Sequence, residues 1–274
     1  NPNPKNSIFT MKVEYGIGTK EDPTLQYAAE LGNMIGNEKY TFNELKEELQ
    51  KIGATINFFS SGDYFGLDIK GFDKNFKKTM SMTGEFLQTM KVRKEDKKKM
   101  KKLIQGSTLE RRFEGSNAST KGNALRDYAL WGQNSNFLKR PTIQEVKKMD
   151  TEFLLEKISS AMRVETTVFF TGTLDFGEVK KSVKTNLMIN KKLKESSSPI
   201  VYDQQLKDNN TIYFYNDKKA VQSQIHILVP GLKMELKERL TSRTFNKYFG
   251  SGMSALVFQE IREFRSLAYS AYGI

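Results

Sequence analysis

The sequence predicts a mixed helix-and-strand protein laid out as two similar parts with a polar segment between them. Three observations predict it. Stretches that alternate or are β-rich recur among stretches with apolar residues at helical spacing. A turn signal at Ser61-Gly62-Asp63 joins residues 54–59 to 64–70 as a hairpin. The order of elements after residue 210 echoes the order at the start of the chain.

The elements follow in order. Residues 7–15 (SIFTMKVEY) alternate and form a strand, and residues 16–23 form a loop with two glycines and a proline. Leu25, Ala28, Ala29, Leu31 and Ile35 recur at helical spacing over residues 24–35. Residues 41–52 make a second helix, capped by Thr41 with Glu44 three residues on and ended by Gly53. After the hairpin come a helix over 74–90, whose methionines read as core filler, and a basic helix over 94–113. Residues 115–123 (GSNASTKGN) read as a polar loop, followed by helical segments to about Leu138. Thr142 and Glu145 form a second capping box, Thr151 opens another helix, 163–172 is a strand and 175–187 a helix. Residues 190–210, with three serines and a proline, change character and read as a linker. Beyond it lie strands at 211–215 and 222–229 and a helix over 232–248.

The echo is one of pattern. NELKEELQKIGATINFF in the first part corresponds to ALVFQEIREFRSLAYSAY in the second. On that correspondence the first copy is complete and the second stops after its first third, so the sequence reads as a piece of a longer chain.

Composition narrows the chemistry. There is no cysteine, which excludes thiolate catalysis, disulfides and cysteine-ligated metals. The single histidine, His226, lies in QSQIHILVP and reads as a structural strand residue. One histidine cannot supply the usual ligand set of a catalytic zinc, and no GxSxG elbow accompanies it for a serine triad. No run approaches the length of a membrane-spanning helix, and NPNPKNS lacks the pattern of a signal peptide. The net charge of +12 is concentrated in KVRKEDKKKMKK, residues 91–102. That run reads as a solvated helix face; the alternative is a nucleic-acid or anionic-surface patch.

The closing GSGMSALVFQEIREFRSLAYSAYG resembles the second homologous domain of the pitrilysin/insulinase family of zinc metallopeptidases. VEYGIGTKEDP with the helix after it, ELKEELQKIGA and RVETTVFFTGTLDFGEVKKSV resemble parts of that family's first domain. The resemblance implies an α+β fold of two homologous peptidase-like domains, each a mostly antiparallel sheet with helices on one face. It implies domains at 1–190 and 211–274, the second truncated, joined by 191–210.

The family's His-x-x-Glu-His motif falls on YAAEL, so Tyr27 and Leu31 take the histidine slots and Glu30 keeps the general-base slot. The third ligand falls near Gln105 to Glu110. Leucine has no donor atom, so the resemblance implies an inactive unit without zinc of its own. By itself the YAAEL stretch reads as an ordinary amphipathic helix. The family also carries an arginine and a tyrosine seven residues apart that contact the substrate backbone, and Arg262 and Tyr269 match them; Arg265 and Tyr272 match less closely. Read without the family, Arg262 pairs with Glu260 or Glu263 and Tyr269 packs in a sheet.

The expectation is therefore one wall of a peptide-binding chamber. Its partner would be a zinc-bearing catalytic unit in the same or another chain, its substrate an unfolded peptide. A homodimer, a purely structural scaffold and, further off, an anionic-surface binder are the alternatives. The resemblance points to the bacterial periplasm or cell envelope, with an organelle as the other setting of the family.

Overall fold

A computed structural model describes residues 6–187, 189, 192–207, 209–229, 231 and 234–273. Its strands are β1 (Ile8–Tyr15), β2 (Gly36–Asn37), β3 (Thr55–Ser60), β4 (Phe65–Phe72), β5 (Met90–Lys91) and β6 (Thr166–Thr171). Four of them form an antiparallel sheet in the order β3-β4-β1-β6, and β2 and β5 form a small separate ribbon. The strand read from residues 7–15 is thus central, paired along its length with β4 and over residues 10–15 with β6.

Alternation decides which face of that sheet is covered. Phe9, Met11, Val13 and Tyr15 are buried on one face, while Ile8, Thr10 and Lys12 are exposed on the other. Their partners obey the same rule: Ile69 and Leu67 oppose Met11 and Val13 and are fully buried, and Lys70 opposes Thr10 and is exposed. Burial pushes the Tyr15 phenol up from its ordinary range.

Helices cover the apolar face. In chain order the helices of this part of the chain are α1 (Leu25–Gly32), α2 (Phe42–Lys51), α3 (Phe76–Gln88), α4 (Lys94–Glu114), α5 (Ala118–Trp131), α6 (Asn136–Lys139), α7 (Ile143–Lys148), α8 (Thr151–Ala161) and α9 (Phe176–Asn186), of which α1, α2 and α3 meet the sheet directly. Helix α1 packs against α8 and β3, and α3 packs against α9. Phe9 meets Phe76 of α3 edge-on at 5.1 Å, and Phe76 meets Phe170 of β6 at 5.7 Å, so the rings join sheet to helix.

Both expected capping boxes form. Thr41 N–H donates to Glu44 at 2.8 Å and Thr142 N–H donates to Glu145 at 2.7 Å. Gly53 ends α2 at φ 64°. The stretch expected as a loop at 115–123 is helical from Ala118, because Asn117 accepts a bond from Thr120 N–H at 3.0 Å and starts α5 early.

The chain forms two compact units, Asn1–His226 and Ile227–Ile274. Part of the segment expected as a linker is fastened to the first unit. Ser196 donates to the carbonyl of Gly16 at 2.8 Å, Ser198 to that of Asp63 at 2.5 Å, and Gln205 N–H to that of Leu130 at 2.7 Å. The strands expected at 211–215 and 222–229 are absent among the described residues, because no neighbouring segment supplies a ladder; Ile212, Phe214, Val221 and Ile225 are exposed. His226 is likewise exposed and outside any strand. The second unit contains α10 (Arg239–Phe249) and α11 (Leu256–Phe258). Asn190, Lys191 and Asp208 of the polar segment, and Leu232 and Lys233 of the helix expected over 232–248, lie outside the described residues. Among the described residues no helix is long and apolar enough to cross a membrane.

Asp22 ties the start of α1 to α8. It accepts from Thr24 N–H at 2.9 Å and from Lys157 of α8 at 2.7 Å. Burial alone raises its carboxyl; the bonds from Lys157 and Thr24 outweigh burial and hold it below the usual range. A carboxyl depressed in the folded state stabilises above its unfolded pKa and loses that effect as pH falls through the folded value. Lys157→Met is therefore expected to cost about 1 kcal/mol near neutral pH. In urea unfolding the difference from the parent should shrink as pH falls below about 4.

Candidate functional site

Helix α1 turns Tyr27 and Leu31, one turn apart, toward the core, and Glu30 toward solvent. Leu31 is fully buried among apolar side chains. The Tyr27 hydroxyl lies 3.1 Å from the Ser107 hydroxyl on α4. The two helices that would share a metal under the family pattern are thus joined by a neutral hydrogen bond.

Within the third-ligand stretch it is Ser107 that meets Tyr27, and no carboxylate. Gln105 and Glu110 are exposed, while Ile104 and Thr108 form the buried side of α4. One turn beyond Ser107, Arg111 donates to the Pro141 carbonyl. Burial lowers its pKa, neighbouring Arg140 lowers it further, and Glu114 acts in the opposite sense. Arg140 is itself paired with Glu114 at 2.7 Å.

These donors do not fit zinc. Two imidazoles are replaced by an alkyl group and by a phenol engaged with serine, and the carboxylates point outward. Among the described residues no group of three or more His, Cys, Asp or Glu side chains is placed to hold a metal ion.

The second unit brings Arg262 and Tyr269 together. Helix α11 continues as a π-type turn over Gln259–Glu263. It is ended by Ser266 at φ 50°, with Ser266 N–H donating to Arg262 O at 3.0 Å and Leu267 N–H to Ile261 O at 2.9 Å. The bond from Ser266 to Arg262 is the 5→1 bond of an αL stop, built here on serine where glycine is usual, and the bond from Leu267 is wider, as suits the π-type turn it closes. It folds the chain back so that the Arg262 guanidinium stacks on the Tyr269 ring at 5.2 Å and on Phe258 at 4.7 Å. Glu263 lies 3.6 Å from Arg262, and Arg265 pairs instead with Glu260 at 3.1 Å.

Tyr269 is 83% exposed and its segment is not a strand, in contrast to the helix-to-strand passage expected from the sequence. A turn at Ser266, rather than a sheet, positions the ring. The glycine-rich turn before α11 has a visible purpose. Gly273 N–H donates to Gly250 O at 3.2 Å, and a Cβ on Gly250 would fall 2.1 Å from Gly273 O. Tyr272 is exposed. Sequence reasoning found the Arg262–Tyr269 spacing but missed Ser266, because a serine in the left-handed region carries no local signature.

Ser266→Gly is expected to stabilise the turn by about 0.5–1 kcal/mol through relief of the left-handed cost, seen as a higher urea midpoint of the whole chain. Tyr27→Phe keeps the ring and leaves Ser107 without its partner. It should cost about 1 kcal/mol, whereas Leu31→His, burying a polar ring in an apolar site, should cost about 2–5 kcal/mol, both read by chemical denaturation.

Residues 164–274 match the family described as the peptidase M16 inactive domain. A 56-residue stretch is 39% identical to an uncharacterized zinc protease of Streptomyces coelicolor, covering 20% of this chain and 12% of that protein. The crystal structure of a peptidase M16 inactive domain from Pseudomonas fluorescens superposes over 99% of this chain and 66% of its own, with a TM-score of 0.70 at 12% identity. A protease from Helicobacter pylori superposes over 99% of this chain and 67% of its own, with a TM-score of 0.59 at 16% identity. The chain thus spans only part of the proteins it matches. The mixed architecture of antiparallel sheet and helices is shared with these structures. The resemblance to zinc metallopeptidases holds: residues 164–274 match the family described as the peptidase M16 inactive domain, and the fold of the chain is similar to that of the solved M16 inactive domain from Pseudomonas fluorescens.

Proposed function

We propose that this chain is a zinc-free peptidase-like unit that forms one wall of a peptide-binding chamber and presents Arg262 and Tyr269 to a catalytic zinc site in a partner unit. The observation that carries the reading is the stacked Arg262–Tyr269 pair, assembled by the Ser266 turn. A guanidinium offers a planar fork of donors suited to a peptide carbonyl. A phenol hydroxyl donates to an oxygen as negative charge develops on it. Stacking on Phe258 and Tyr269 limits the rotamers of Arg262, which lowers the entropic cost of engaging a substrate.

The donor set around Tyr27 supports a division of labour in which zinc and its activated water belong to the partner. Zinc there would polarise the scissile carbonyl and lower the pKa of its bound water. The whole protein's peptidase activity, its unfolded-peptide substrate and its place in the periplasm or cell envelope belong to the same proposal.

The test is turnover of the whole protein, catalytic half included. Arg262→Ala and Tyr269→Phe should each lower kcat/KM for an unstructured peptide by about 10²–10³, the loss seen when one donor to a developing oxyanion is removed. Unchanged kcat and KM for both variants would instead mean that the unit is a structural scaffold.

A further inference from the structure

The first unit contains a cavity of about 300 Å³ whose lining includes Lys20, Gln26, Phe137, Lys139, Arg140 and Tyr202, and no acidic residue. Three separate pieces of chain meet there: the loop entering α1, the α6 segment, and the strap that begins at residue 194. Two of the three cations are already neutralised. Lys20 pairs with Asp63 at 3.0 Å, and Arg140 pairs with Glu114 at 2.7 Å.

Lys139 is different. Its ammonium donates to the Tyr202 hydroxyl at 2.9 Å and lies 4.5 Å from the centre of that ring. Among the described residues no carboxylate pairs with it. A phenol oxygen satisfies one donor of an ammonium and leaves others free, and it does not cancel the charge. The walls beside it are apolar: Phe137, with Arg140 stacked on it at 4.9 Å, the Tyr202 ring and Pro23.

We infer that this cavity binds a carboxylate carried by an extended peptide, with Lys139 as the counter-ion and Phe137 and Tyr202 packing on the carboxylate's stem. This rests on the proposal that the unit lines a peptide chamber. A carboxylate fits better than a phosphate, because Lys139 supplies one uncompensated charge, whereas a doubly charged group calls for a second, and Lys20 and Arg140 are held by Asp63 and Glu114. The volume is at the small end for a ligand site and suits one side chain or one chain terminus. An acidic side chain and a C-terminal carboxylate share the chemistry.

The experiment is fluorescence anisotropy of the full chain with short labelled Ala/Glu peptides and their Ala/Gln counterparts, each as free acid and C-terminal amide. Binding to at least one carboxylate-bearing peptide should be about tenfold tighter than to the Ala/Gln amide, about 1.4 kcal/mol. If the Ala/Glu amide keeps the advantage, the side chain is the ligand; if only free acids keep it, the terminus is.

Lys139→Glu and the milder Lys139→Met should remove the advantage, while Lys98→Glu, the same charge change on the exposed face of α4, should keep it. Equal affinity for all four peptides overturns the inference. So does an equal loss in Lys98→Glu, which would assign the effect to overall charge. If Arg262→Ala lowers turnover of the whole protein while Lys139→Glu binds acidic peptides as the parent does, the cavity assignment falls and the chamber reading stands.

Discussion

Strand β1 is bonded on both sides, to β4 along its length and to β6 over residues 10–15, and its alternate side chains are the floor of the core. Everything else in the first unit is arranged by that constraint. A slip of one residue would exchange Phe9, Met11, Val13 and Tyr15 for Thr10, Lys12 and Glu14 on the covered face, burying charge without partners. The register with β4 and β6 is therefore fixed by burial as much as by hydrogen bonds. The edge-on contact of Phe9 with Phe76 carries that register into the helical layer.

Given that frame, the degenerate motif is explained by packing. Helix α1 lies between β3 and α8, so its inward face must be filled. Leu31 fills it completely, and Tyr27 fills it with a ring whose hydroxyl reaches Ser107. Where a metal would draw two helices together by coordination, an ordinary amphipathic contact and one neutral hydrogen bond do so here. The general-base position, Glu30, is left in water. Loss of the ligands thus leaves, among the described residues, no buried unpaired side-chain polar group at Tyr27 or Leu31.

Much of this was legible because the signals are local. Thr41 with Glu44 and Thr142 with Glu145 announce helix starts three residues apart, and the alternation of residues 7–15 announces a half-buried strand. The misses are non-local or subtle. Residues 115–123 look like a loop by composition, yet Asn117 caps a helix within them. The apolar alternation at 211–215 and 222–229 states a preference that only a neighbouring strand can realise. The spacing of Arg262 and Tyr269 could be counted, whereas their stacking depends on a serine in a left-handed conformation. Ser107 could not be paired with Tyr27 across 80 residues, nor could the cavity wall be assembled from its three distant segments.

The strap from residue 194 has a consequence for how the first unit comes together. Its bonds close very long loops: Lys20 reaches the Ile200 carbonyl across 180 residues of chain, as Ser196 reaches that of Gly16. Contacts of such separation reward the chain only after the intervening elements are in place, so the strap docks late and is among the first parts to detach. Tyr202 travels with it. Assembly of the cavity wall is thereby a report on completed folding: the sheet and helices must exist before the ring that faces Lys139 arrives.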